Sequence, residues 1–132
     1  MRDRLQPFTV YWKKTEPEVI SFHHFTIDQL EGGEYTVSIF DSNGKRDGAL
    51  GFNHIAAIVP EVQRHGFYGY TVKLKNGQSF DVNGSSFSIE PPRVVFYFGR
   101  GPTQPPDVMN EVYVASSEVA SIFPAKGLDW DG

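Results

Sequence analysis

Between residues 68 and 77 the chain places Tyr68, Tyr70, Val72 and Leu74 on one parity and Gly69, Thr71, Lys73 and Lys75 on the other, then stops at Asn76-Gly77. Successive side chains of a strand face opposite ways, so this parity builds a half-buried strand, and Asn-Gly is the strongest short hairpin signal. A helical period does not fit it. The same two-residue rhythm recurs in Phe8, Val10 and Trp12, in Tyr35, Val37 and Ile39, in Phe80 and Val82, in Phe87 and Ile89, and in Val112 and Val114. Gly32-Gly33, Asp41-Ser42-Asn43-Gly44 and Asn83-Gly84 punctuate the runs as turns.

Composition agrees with the rhythm. Valine and isoleucine number 20 and aromatics 19, against 13 for leucine, alanine and methionine together. The first group packs best on pleated surfaces. Thirteen glycines and nine prolines in 132 residues keep the segments short. The expected fold is all-β with at most one or two short helical turns. Six to eight short strands would form a small antiparallel barrel or sandwich of the SH3-like, small-barrel type. Residues 1–125 suit one β domain, and 126–132 read as a C-terminal tail.

Val19 to Ile27 breaks strict alternation, with Ile20 and Phe22 in one phase and Phe25 and Ile27 in the other. A bulge at His23-His24 reconciles them, placing the four apolar groups on one face and both imidazoles on the other. Pro60 opens Glu61-Val62-Gln63-Arg64-His65 before Gly66, an order that suits a single helical turn. Val94 to Phe98 is apolar on both phases, the pattern of a strand covered on both faces. The proline-bearing stretch from Gly99 to Asn110 reads as a long loop.

There is an internal echo. Leu50 to Pro60 aligns without gaps on Val114 to Pro124, matching Ile55, Ala56, Ile58 and Pro60 with Val119, Ala120, Ile122 and Pro124. Tyr35-Thr36-Val37 and Tyr70-Thr71-Val72 stand ahead of the two copies. Two readings stay open: a duplicated unit spanning 35–61 and 70–125, or convergence on one local need, a strand, one turn and a short strand stopped by proline.

Charge and motifs exclude more than they assign. A net charge of −4 argues against a general polyanion binder. The absence of cysteine excludes disulfides, thiolate zinc sites, iron–sulfur clusters and thiol catalysis. No apolar run has the length of a membrane span and no secretory leader opens the chain, so a soluble cytoplasmic protein without membrane association is expected. Nucleotide-cradling glycine loops, nucleophile elbows, zincin helices and dinucleotide fingerprints are missing. Neither a catalytic residue nor a cofactor is assigned, and the reading leans away from an enzyme.

His23 and His24 stand out as candidate ligand contacts, but adjacent histidines on a regular strand face apart and no third ligand lies nearby, so no metal site is assigned. Arg100, between Gly99 and Gly101 at the end of the most apolar strand, offers one guanidinium to an anion, with Tyr97 beside it. Tyr11, Phe40, Val95, Tyr97 and Tyr113 fall opposite the core parity, a surplus that a lone domain would expose. The leading expectation is therefore a binding or interaction module acting as a homo-oligomer, a dimer by preference, through an aromatic-rich surface. Its speculative ligand contacts are His23, His24, Tyr97, Arg100 and Tyr113. The alternative is a small-ligand binder or enzyme with a pocket in the barrel mouth. Arg64, Lys73 and Lys75 interleaved with Phe67, Tyr68 and Tyr70 leave single-stranded nucleic-acid binding as a third and weaker reading, because parity sends the tyrosines inward.

Overall fold

The computed structural model describes residues 5–63, 69–98, 107–108 and 111–124. Its contacts divide the chain into two compact units, Met1–Glu61 and Val62–Gly132. All regular structure among the described residues is strand, apart from two single 3-10 turns.

The first unit runs β1 (Gln6–Trp12), β2 (Glu18–Phe22), β3 (His24–Gln29), β4 (Tyr35–Phe40), β5 (Arg46–Leu50), a 3-10 turn at Phe52–His54 and β6 (Ile55–Pro60). β1 lies between β2 and β6, and β4 between β3 and β5, all antiparallel. Phe8 and Val10 on one parity of β1 are fully buried, as alternation requires. Phe8 stacks on Phe22 with ring centroids 4.3 Å apart, and Phe25 meets Phe8 edge-on at 5.9 Å. Phe22 and Phe25 are both buried although they are three residues apart, because the chain bends at His23 between β2 and β3. That extra residue resets the parity.

The second unit runs β7 (Gly69–Leu74), β8 (Ser79–Asn83), β9 (Ser86–Glu90), β10 (Arg93–Phe98), β11 (Asp107–Val108), β12 (Tyr113–Val114), a 3-10 turn at Ser116–Glu118 and β13 (Val119–Pro124). β7 lies between β8 and β13, and β10 between β9 and β11. A cis Pro91–Pro92 bond connects β9 to β10. Tyr70 meets Phe87 edge-on at 5.1 Å, with Phe96 beside both.

Register shows that the two units follow one plan. In the first, Phe8, Val10 and Trp12 of β1 face Pro60, Ile58 and Ile55 of β6, with a shift between Tyr11 and Trp12. In the second, Tyr70, Val72 and Leu74 of β7 face Pro124, Ile122 and Val119 of β13, with the shift at the same step. The Lys13 amide donates to the His54 carbonyl, as the Lys75 amide does to that of Glu118. The corner between the second and third strands also repeats, His23 N–H donating to Phe40 O and Ser85 N–H to Tyr97 O. Tyr35–Val37 sits on β4 and Tyr70–Val72 on β7; by register, β4 corresponds to β10 and β7 to β1.

Three hairpin turns share one design. Leu30, Asp41 and Leu74 each donate their amide to the carbonyl four residues on and accept from a glycine three residues on: Gly33, Gly44 and Gly77. All three glycines have positive φ, between 81° and 96°. A turn closed by a left-handed residue is a standard three-residue hairpin, and glycine enters that region without a Cβ penalty. The Asn76-Gly77 hairpin is thus longer than the two-residue form its dipeptide suggests.

Several expectations are corrected. The described residues hold thirteen strands rather than six to eight, because corners and register shifts divide runs that parity alone reads as continuous. They form several small antiparallel sheets, and among the described residues no barrel closes. Glu61 and Val62 are bends instead of helix, and the rest of that expected turn, Arg64 onward, lies outside the described residues. In β10 only Val94 and Phe96 are buried, whereas β6 is buried at every position. Tyr113, expected on the outward parity, is 1% exposed.

Candidate functional site

Where β1 gives way to β2, residues 13–17 arch over the 3-10 turn that precedes β6. Trp12, Lys13, Lys14, Thr15, Asn53 and His54 line a cleft of about 320 Å³ there. Both walls are held from the backbone. Lys13 N–H donates to His54 O at 2.9 Å, and His54 N–H to Gly51 O at 2.9 Å. The indole Nε1 of Trp12 donates to Glu18 Oε1 at 3.3 Å.

Trp12 is half-buried, whereas Phe8 and Val10 before it on β1 are fully buried, and it lines the cleft. Its counterpart Leu74 stays fully buried. The equivalent connection in the second unit, residues 75–78, is one residue shorter than 13–17 and closes as the glycine hairpin. His54 is likewise particular to the first unit, since register matches it with Glu118. The residues lining the cleft are thus two lysines, a histidine, a threonine, an asparagine and a tryptophan. Cations and neutral donors of this kind suit an anion, and an indole suits a flat apolar body.

The residues singled out from the sequence lie elsewhere. His23 and His24 are half-buried at the β2–β3 corner with their Nδ1 atoms 2.9 Å apart. Tyr97 is half-buried on β10, its hydroxyl donating to Glu90 Oε2 at 3.1 Å. Burial and that carboxylate push its phenol pKa upward. Tyr113 sits beneath the Arg93 guanidinium, whose Cζ is 5.7 Å from the ring centroid, and burial pushes its phenol well above the ordinary range. Arg100 lies outside the described residues. The two histidines are thus brought together, while Tyr97 and Tyr113 serve separate contacts in the second unit. Lys73 is exposed on β7 with Val72 and Leu74 buried on either side, as the parity argument required.

Sequence reasoning passed over the cleft. Parity grouped Trp12 with Phe8 and Val10 on one side of its strand, and neither the lysines after it nor His54 was singled out. One signal was available: the echo replaces His54 by Glu118 in otherwise matched surroundings.

Among the described residues, no three His, Asp or Glu side chains converge to hold a metal ion. No described helix is long and apolar enough to cross a membrane. No family model, curated protein or solved structure matches this chain.

Proposed function

We propose that the protein is a binding module whose ligand is a small anion with a flat apolar part, an aryl phosphate or an aromatic carboxylate being the simplest form. The observation that carries this reading is the cleft between Lys13-Lys14 and Asn53-His54, with the Trp12 indole on its wall. A ligand seated there would place its charge against the lysines and imidazole and its ring against the indole, and clefts of this size are ordinary small-ligand sites. The test is calorimetry and thermal shift with nucleoside monophosphates, aryl phosphates and aromatic carboxylates, each against its neutral analogue. Charged members stabilising the protein, and Lys14→Ala and His54→Ala each weakening binding, would support the reading. Equal response to charged and neutral members, or silence across the panel, would remove it.

Self-association is a second reading with a specific support. The residues whose parity first suggested it, Tyr11, Phe40, Val95 and Tyr97, are half-buried, but Val62, Ile89 and Phe123 are 78%, 61% and 61% exposed. Exposed apolar groups of this size favour contact with another surface. A sedimentation mass that stays monomeric across micromolar concentrations would remove this support.

A further inference from the structure

The Nδ1 atoms of His23 and His24 lie 2.9 Å apart, a hydrogen bond between the rings with planes 82° apart, and a cation would take the place of the proton they share. The corner holds both residues firmly. His23 N–H donates to Phe40 O at 2.9 Å, its carbonyl accepts from Gln6 Nε2 at 3.3 Å, and the His24 ring is stacked on Phe40 at 4.6 Å with planes 2° apart. The backbone does not call for imidazoles. The second unit builds the same corner with Ser85 and Ser86, Ser85 N–H donating to Tyr97 O at 2.8 Å. Whatever the two histidines do is therefore an addition to the fold.

Metal–imidazole bonds of about 2.0–2.1 Å at right angles place the two nitrogens about 2.9 Å apart, whereas tetrahedral angles spread them to about 3.3 Å. We infer that His23 and His24 form a two-nitrogen chelate for a tetragonal divalent ion, with Cu(II) the best fit. Imidazole nitrogens suit copper and nickel, and copper heads the affinity order for such ligands. Water fills the remaining positions.

The experiment titrates the full chain with Cu(II) in a weakly coordinating buffer, followed by calorimetry and electron paramagnetic resonance. One ion per chain is expected, with hyperfine splitting from two imidazole nitrogens. His23→Ser and His24→Ser, which install the second unit's own residues, should each weaken binding at least tenfold. His54→Gln and His65→Gln should leave it unchanged, and Ni(II) should bind more weakly than Cu(II). Binding that survives the double serine variant, or that is lost in His54→Gln or His65→Gln, overturns the inference. So does a spectrum of the unaltered protein showing a single nitrogen, a result that does not depend on any variant folding.

Discussion

The imidazole of His54 lies across Gly51 so closely that a Cβ on the glycine would come 2.9 Å from His54 Cδ2. Gly51 has φ −73° and ψ 106°, which any residue adopts, and its counterpart Ala115 has φ −73° and ψ 120°. The glycine is therefore required by the ring and not by the backbone. Gly51→Ala should change unfolding free energy by less than about 1 kcal/mol while turning His54 out of the cleft. Ligand affinity at the cleft should fall as in His54→Ala. Unchanged affinity with an unchanged His54 ring environment by NMR would refute this.

Phe22 is 1% exposed and stacked on Phe8 with planes 3° apart. Phe22→Ala deletes half of that pair and leaves a void that neighbouring strands fill poorly. A loss of about 3–5 kcal/mol is expected from the urea midpoint. A loss below about 1 kcal/mol would show that the β2–β3 corner collapses onto the space.

Arg93 Nη2 donates to Val112 O at 2.9 Å, and Val112 is 1% exposed. Burial lowers the guanidinium pKa below its ordinary value, and the group is still charged at neutral pH. Arg93→Ala leaves a buried carbonyl without this donor and uncovers the Tyr113 ring, so about 2–3 kcal/mol should be lost. Arg93→Lys, which cannot lie flat on the ring while reaching Val112, should recover only part of it. Full recovery by lysine would mean that charge alone matters.

Asp41 Oδ1 accepts the amides of Asn43 at 2.9 Å and Lys45 at 3.0 Å across the β4–β5 turn. The Lys45 amide leads in holding this carboxyl below its ordinary 3.8, the Asn43 amide and the charges of Lys45 and His23 adding to it against an opposing effect of burial. A carboxyl depressed by folding stabilises above its unfolded pKa, and that contribution disappears as pH falls through the folded value. Asp41→Asn should therefore be less stable than the unaltered protein at pH 6, with the gap narrowing below pH 3.8. A gap that is constant with pH would rule out the carboxylate as its source.

Local rules made much of the strand content legible. Of the residues grouped by parity, Phe8, Val10, Val37, Val72, Leu74, Phe80 and Val82 are buried, Trp12, Tyr35, Ile39, Tyr70 and Phe87 are half-buried, and Ile89 is exposed. The break at His23-His24 was readable for the same reason: only an inserted residue lets Phe22 and Phe25 share a face. The echo located both 3-10 turns, at Phe52–His54 and Ser116–Glu118, because their backbone needs are local. The rest of the shared plan escaped notice. Matching β1 with β7 rests on partners about fifty residues away in each unit, and the side chains there, such as Trp12 and Leu74, differ.

What the amino-acid order determined alone is a pleated chain, its turns and its inward parity, since each follows from interactions among residues a few positions apart. The meeting of Lys13 with His54 and of His23 with Phe40 was decided only by tertiary structure. Strand pairing sets those contacts, and pairing depends on register between distant segments, which periodicity leaves open. The same one-step shift leaves Trp12 half-buried at a cleft in one unit and Leu74 buried in the other, a difference that no local rule supplies.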